Sequence, residues 1–151
     1  MKAPVATIAA PFVRELTVGE CRSFLATRST GRIAFSLHDR VDVQPFNYVS
    51  DGDWIFGRTS EGSKLTTLRE NPWCAFETDE VRGLLDWTSV VVKGTFSVLD
   101  PMIGSLHTYQ RADALLRALQ PDAIAANDSA ARRRILFGIF GREVTGRESR
   151  S

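Results

Sequence analysis

This chain is poor in cysteine, histidine and net charge. Its 151 residues contain two cysteines, two histidines and two methionines, and 19 basic side chains are nearly matched by 18 acidic ones. Cys21 and Cys74 are far apart and form no metal-like pair, and His38 and His107 lack ligand-like spacing, so no metal centre is expected. Two lone cysteines suggest a reducing compartment and buried thiols, with a single disulfide left open. A net charge of +1 gives no basis for wholesale binding to nucleic acid or anionic membrane. No apolar run approaches the roughly 20 residues of a membrane-spanning helix. Met1 to Phe12 has no long apolar core of the signal-peptide kind. These absences lead to the expectation of a cytoplasmic globular protein. With 43% hydrophobic and 25% charged residues, residues 1–151 suffice for one domain with its own core.

What is present centres on Gly57-Arg58-Thr59-Ser60-Glu61-Gly62-Ser63-Lys64-Leu65. It follows an apolar strand-like run, Trp54-Ile55-Phe56, and precedes Leu65-Thr66-Thr67-Leu68, which reads as a short helix. A strand, a Gly- and hydroxyl-rich turn and a helix start together make an anion site, because a helix N-terminus presents unpaired N–H groups and partial positive charge. Arg58 and Lys64 bracket that point, and Thr59, Ser60 and Ser63 can donate hydrogen bonds. The plainer reading is a tight turn at Gly62, a Ser60 or Ser63 helix cap and two solvated cations. Gly57 to Lys64 also nearly matches the P-loop pattern G-x-x-x-x-G-K-[ST], but with Lys and Ser transposed.

Along the chain, residues 1 to 14 read as an extended lead-in. Thr17 and Glu20 form a capping-box pattern for a first helix, with Cys21, Phe24 and Leu25 on one face. Alternation then predicts a strand from Gly31, a polar turn at Leu37 to Arg40, and a strand over Val41 to Val49. In that second strand Val41, Val43, Pro45, Asn47 and Val49 share a face. Asp51-Gly52 signals a hairpin into a strand over Asp53 to Arg58. A helix over Ser63 to Glu70 should stop at Asn71-Pro72. A strand follows from Trp73 to Thr78, then a charged loop through Asp86, then the clearest strand, with Val90, Val92, Phe96 and Val98 on one face around Gly94. The spacing of Ile103, Leu106, Leu115, Leu116 and Leu119 predicts a helix from about Met102 to Leu119. A short helical piece from Pro121 should end in Arg132-Arg133-Arg134, a basic run suited to a helix C-terminus. A last strand is expected from Ile135 towards Val144, closed by Gly146. The fold class is therefore mainly β with peripheral helices, an antiparallel barrel. A P-loop fold would need repeated strand–helix–strand crossovers, which this order does not offer.

The order of these pieces resembles the flavin-binding split β-barrel family related to pyridoxamine 5'-phosphate oxidase. The resemblance covers about residues 16 to 147. Its matching stretches are Gly31-Arg32-Ile33-Ala34-Phe35, Pro45-Phe46-Asn47-Tyr48-Val49 with Asp51-Gly52, Arg58-Thr59 with Gly62-Ser63-Lys64-Leu65, Phe76-Glu77-Thr78-Asp79, Trp87-Thr88-Ser89-Val90-Val91-Val92-Lys93-Gly94 and Val144-Thr145-Gly146-Arg147. It implies an antiparallel split β-barrel, a homodimer, and flavin mononucleotide (FMN) in two clefts at the subunit interface. It implies phosphate capture by Arg58, Thr59, Ser60, Ser63 and Lys64. Ring support would come from the strand around Gln44, Pro45, Phe46 and Asn47, where proline marks an edge or bulge. Trp87 and Ser89 would wall the cleft; Lys93, on the same face, is left outside the site. The implied activity is an FMN-dependent oxidoreductase acting on a small molecule by hydride transfer, with a nicotinamide cofactor as electron donor. A flavin, deazaflavin or haem binding module without turnover is the alternative. No side-chain acid, base or nucleophile stands out. Two departures matter: no arginine- and histidine-containing counterpart of the oxidase's substrate segment is visible in Ile135 to Ser151, and Gly57 stands where nitroimidazole-reductase-like relatives often carry histidine.

Overall fold

The computed structural model describes residues 12–119 and 135–151. The expected helical piece from Pro121 to Arg134 lies outside the described residues. Among the described residues, eight strands and three helices follow one another: β1 (Phe12–Glu15), α1 (Val18–Thr27), β2 (Thr30–Leu37), β3 (Arg40–Asn47), β4 (Val49–Asp51), β5 (Trp54–Thr59), α2 (Ser63–Glu70), β6 (Trp73–Gly83), β7 (Asp86–Leu99), α3 (Leu106–Leu119) and β8 (Ile135–Arg150).

One antiparallel sheet has the order β3-β2-β6-β7-β8-β5-β4, and β1 joins β8 off that path. β8 is the longest strand. β7 lies along one side of it, and β5 and then β1 occupy the other. The sheet curls but does not close, and its edges are β3 and β4, consecutive in the chain. Between them sits Tyr48, fully buried, with its hydroxyl donating to the Leu25 carbonyl at 2.7 Å. That anchor breaks the single strand expected over Val41 to Val49 into β3 and β4, and the pairing partner changes there from β2 to β5.

The sheet's concave side packs the core: Ile33, Phe35, Ile55, Phe76, Val90, Val92, Phe96, Phe137 and Ile139, with Leu65 and Leu68 of α2 and Cys21 and Leu25 of α1. The first helix starts as its sequence predicts. Thr17 accepts from the Glu20 N–H, and Glu20 returns a bond to the Thr17 N–H, so both orphan donors are satisfied. α3 covers a second cluster of Phe56, Ala112, Leu116 and Leu136.

Four expectations are corrected. The lead-in contains β1, held by β8 from Phe12↔Arg150 to Glu15↔Arg147. The charged loop after Thr78 is a continuation of β6 and a tight return into β7, because its charges pair across strands, Arg82 with Asp86 at 2.9 Å and Arg32 with Asp79 at 3.6 Å, and along β6, Arg82 with Glu80 at 3.2 Å. α3 starts at Leu106, not Met102. Asp100 accepts from the Met102 and Ile103 N–H groups, and Gly104 turns through φ +79°, so Ile103 stays exposed. Gly146 does not close the last strand. It lies mid-strand, where a Cβ would come within 2.7 Å of the Cys21 sulfur, so glycine here permits close packing. Both cysteines are free and buried.

The outer side of the sheet is part apolar, and the described residues do not cover it. Register pairs Val43 with Ala34, Ala34 with Ala75, and Val81 with Trp87, which places all of them on one face. On it Val41 is 72%, Val43 60%, Trp73 51% and Val81 70% exposed.

Candidate functional site

β3 and β5 meet at the seam where the sheet fails to close. Phe46 of β3 lies 5.3 Å from the Phe137 ring and 5.5 Å from the Phe76 ring, so its side chain floors the seam. Above that floor opens a cavity of about 280 Å³, lined by Gln44, Pro45, Phe46, Arg58, Thr59, Ser60, Glu61, Gly62, Ser63 and Lys64. Two stretches far apart in sequence, the edge strand and the strand–turn–helix, thus face one space. Pro45 lies in an edge strand whose outer side joins no ladder, which is where proline costs no sheet bond.

The turn presents cationic and donor groups. α2 starts at Ser63 with Gly62 as its cap residue, and no side chain caps it. Ser60 and Ser63 therefore do not take the capping role. Arg58 is partly buried. Burial pulls its guanidinium below the ordinary value, while Asp113 on α3 pushes it back up. It remains a cation at neutral pH. The Lys64 amine stands 5.7 Å from the Phe137 ring centre. Thr59 is buried, its hydroxyl donating to the Ser60 carbonyl at 3.3 Å.

Asn47 does not line this cavity; its side-chain oxygen accepts from the Thr30 hydroxyl at 3.0 Å, back across β2. Trp87 and Ser89 are not there either. They line a second cavity of about 460 Å³ with Glu15, Leu16, Val91, Val144, Thr145, Gly146 and Arg147. Glu61 and Gly62 are seam residues that sequence reasoning passed over, although both sit inside the turn it singled out. Glu61 pairs with Arg69 at 3.6 Å.

Gly57, just before the turn, has no room for a side chain. A Cβ would lie 2.6 Å from Phe137 and 2.9 Å from Phe46, so a histidine there would displace the rings that floor the seam. His38 turns the β2–β3 hairpin at φ +50°, and His107 opens α3. No group of three or more metal-ligating side chains occurs among the described residues.

A curled antiparallel sheet with an open, cationic seam defines the class. The family model described as pyridoxamine 5'-phosphate oxidase matches residues 17–148, and the chain belongs to that family. Among solved structures, a FAD-binding protein of Mesorhizobium loti has a TM-score of 0.76 and 27% identity, over 91% of this chain and 99% of that one. A haem storage protein of Vibrio cholerae shares the fold, with a TM-score of 0.66 and 16% identity over 84% and 92% of the two chains. An uncharacterized protein of Rhizobium meliloti (strain 1021) is 28% identical over 145 residues, 90% of this chain and 95% of that protein.

Proposed function

We propose that this protein is a homodimeric flavoprotein that binds flavin mononucleotide at the seam and acts as an oxidoreductase on a small molecule. The observation that carries the reading is the convergence of the β3 edge and the Arg58–Lys64 turn on one cavity. The residues fit the group. A terminal phosphate dianion suits two cations and an uncapped helix start. FAD spreads its two charges over the two phosphorus centres of an internal pyrophosphate, whereas FMN puts a terminal dianion on one, the more concentrated charge for this turn, which favours FMN over FAD. The open β3 edge offers backbone groups to the polar rim of a ring, and such bonds tune a flavin's potential. Bound flavin would supply hydride or single-electron transfer at its ring. The chain's part is binding, orientation and exclusion of water, since among the described residues Glu61 is the one carboxylate on the seam and it is mostly exposed.

Haem fits less well. Its iron takes histidine, cysteine, methionine or tyrosine, and none of these lines the seam cavity among the described residues.

The separation of Trp87 and Ser89 from the seam supports the dimer. In a twofold assembly through the exposed sheet face, the partner's Trp87 cavity would abut this chain's seam. Each cleft would then be built from both subunits, and Val41, Val43, Trp73 and Val81 would be covered. Light scattering on the purified protein tests the dimer, and Val43→Glu should weaken it.

Native mass spectrometry and an absorption spectrum of the purified protein test the cofactor. FMN, released intact on denaturation, is expected. Uptake of FAD in preference to FMN, or of neither, refutes the assignment. Reduction by NADH or NADPH followed by reoxidation with an acceptor supports turnover. A flavin that binds but is not reduced supports the carrier reading, which the scarcity of titratable groups on the seam favours.

A further inference from the structure

The Trp87 cavity has a polar wall built from outside it. Ser89 points its hydroxyl at Glu77 Oε2, 3.2 Å away on the neighbouring strand β6. Glu77 Oε1 accepts from Arg32 of β2 at 2.8 Å. The same Arg32 nitrogen lies 3.6 Å from Asp79. One guanidinium therefore serves two carboxylates, each about two-thirds buried. The other charges on this face are Lys93, opposite Ala75 and Glu143, and Arg147, opposite Ser89 and Glu15, and Glu15 also lines the Trp87 cavity; β3 opposite Arg32 offers only Pro45. Burial first, and Asp79 second, raise the Glu77 carboxyl above its ordinary value, and Arg32 opposes both.

A serine hydroxyl has one proton and two lone pairs. An ionised carboxylate beside it can only accept, so it takes that proton and leaves Ser89 an acceptor towards the cavity. A neutral carboxyl, or a glutamine, can donate to Ser89 and free its proton for a ligand. We propose that Glu77 is a positioning residue that sets, through Ser89, whether the Trp87 cavity wall offers a flavin ring a hydrogen-bond acceptor or a donor. This rests on the reading of Ser89 as a cleft wall in the dimeric flavoprotein.

The experiment is FMN binding to the dimer, followed by fluorescence quenching from about pH 4 to 8, a window that starts below the ordinary carboxylate value and runs well above it. Glu77→Gln is the reference, since the titration of the ligand's own phosphate cancels in the ratio of the two affinities. The rim of an oxidised flavin has more acceptors than donors. Glu77→Gln should therefore match the wild type at the acid end and bind about three- to tenfold more tightly at the alkaline end, the size of one neutral hydrogen bond. Ser89→Ala should abolish the wild-type pH step. Asp79→Asn should keep the step but move it to lower pH, because it removes the like charge that raises Glu77. A wild-type to Glu77→Gln ratio that is flat with pH, or a step that survives Ser89→Ala, overturns the proposal while the cofactor site stands. If Glu77→Gln does not fold, the shift in Asp79→Asn and the loss in Ser89→Ala decide it. Failure of the wild type to bind FMN at any pH sinks both readings.

Discussion

Truncating the seam cations should separate phosphate recognition from ring recognition. Arg58 and Lys64 both line the seam, one at the end of β5 and one in the first turn of α2. A hydrogen bond to a charged group contributes about 1.5–3 kcal/mol, so losing either should weaken FMN binding roughly ten- to hundredfold. Both cations are partly buried, Arg58 with Asp113 and Arg117 of α3 as charged neighbours, and partly buried charges are screened less than exposed ones, so both contributions should persist at moderate salt. Both act on one phosphate, so the double variant should lose less than the sum of the single losses. The assay is fluorescence quenching by FMN and, in parallel, by riboflavin, which has the same ring and no phosphate. Arg58→Ala and Lys64→Ala should reduce FMN affinity and leave riboflavin nearly unchanged. Equal losses for both ligands would mean that the cations support the ring or the fold. No loss for either would refute the seam as a phosphate site.

Three further outcomes follow from the packing. Gly94→Ala should destabilise the protein by about 3 kcal/mol or more in a urea melt, because its Cβ would meet the Phe140 backbone, with the carbonyl carbon at 2.8 Å; a near-wild-type midpoint would refute that close approach. Tyr48→Phe should cost about 1 kcal/mol by removing the hydroxyl's bond to the Leu25 carbonyl, with the ring's packing retained, again read from the melt. Arg14 holds Glu20 down at about 2 against its ordinary 4.5. A depressed carboxyl stabilises the fold above its unfolded value, so this contribution is full above about pH 4.5 and is lost as pH falls towards 2. Arg14→Ala should therefore flatten part of the acid limb of a stability-versus-pH curve.

The comparison of sequence and fold turns on range. Local signals translated directly. Thr17 and Glu20 cap α1, Asp51-Gly52 turns β4 into β5, and Asn71-Pro72 ends α2, because each depends on neighbours a few residues away. The alternation of Val90, Val92 and Phe96 marked the buried face of β7 for the same reason. Charged and glycine-bearing segments misled where their partners were distant. Asp79 to Asp86 looks like a loop until Arg32 and Arg82 pair its carboxylates across strands. Gly146 looks like a terminator until Cys21 is packed against it.

The sequence alone determined the period of α1, β2, β5, α2 and β7 and the cationic turn at Arg58 to Lys64, since backbone preference and hydroxyl–cation spacing are properties of adjacent residues. Only the tertiary structure decided that Gln44 to Phe46 face that turn across an unclosed seam, while Trp87 and Ser89 line a different cavity. Which strands become the edges of a curled sheet depends on pairings between residues far apart in the chain, and the buried Tyr48 that parts β3 from β4 is one product of them. Periodicity carries no record of such pairings.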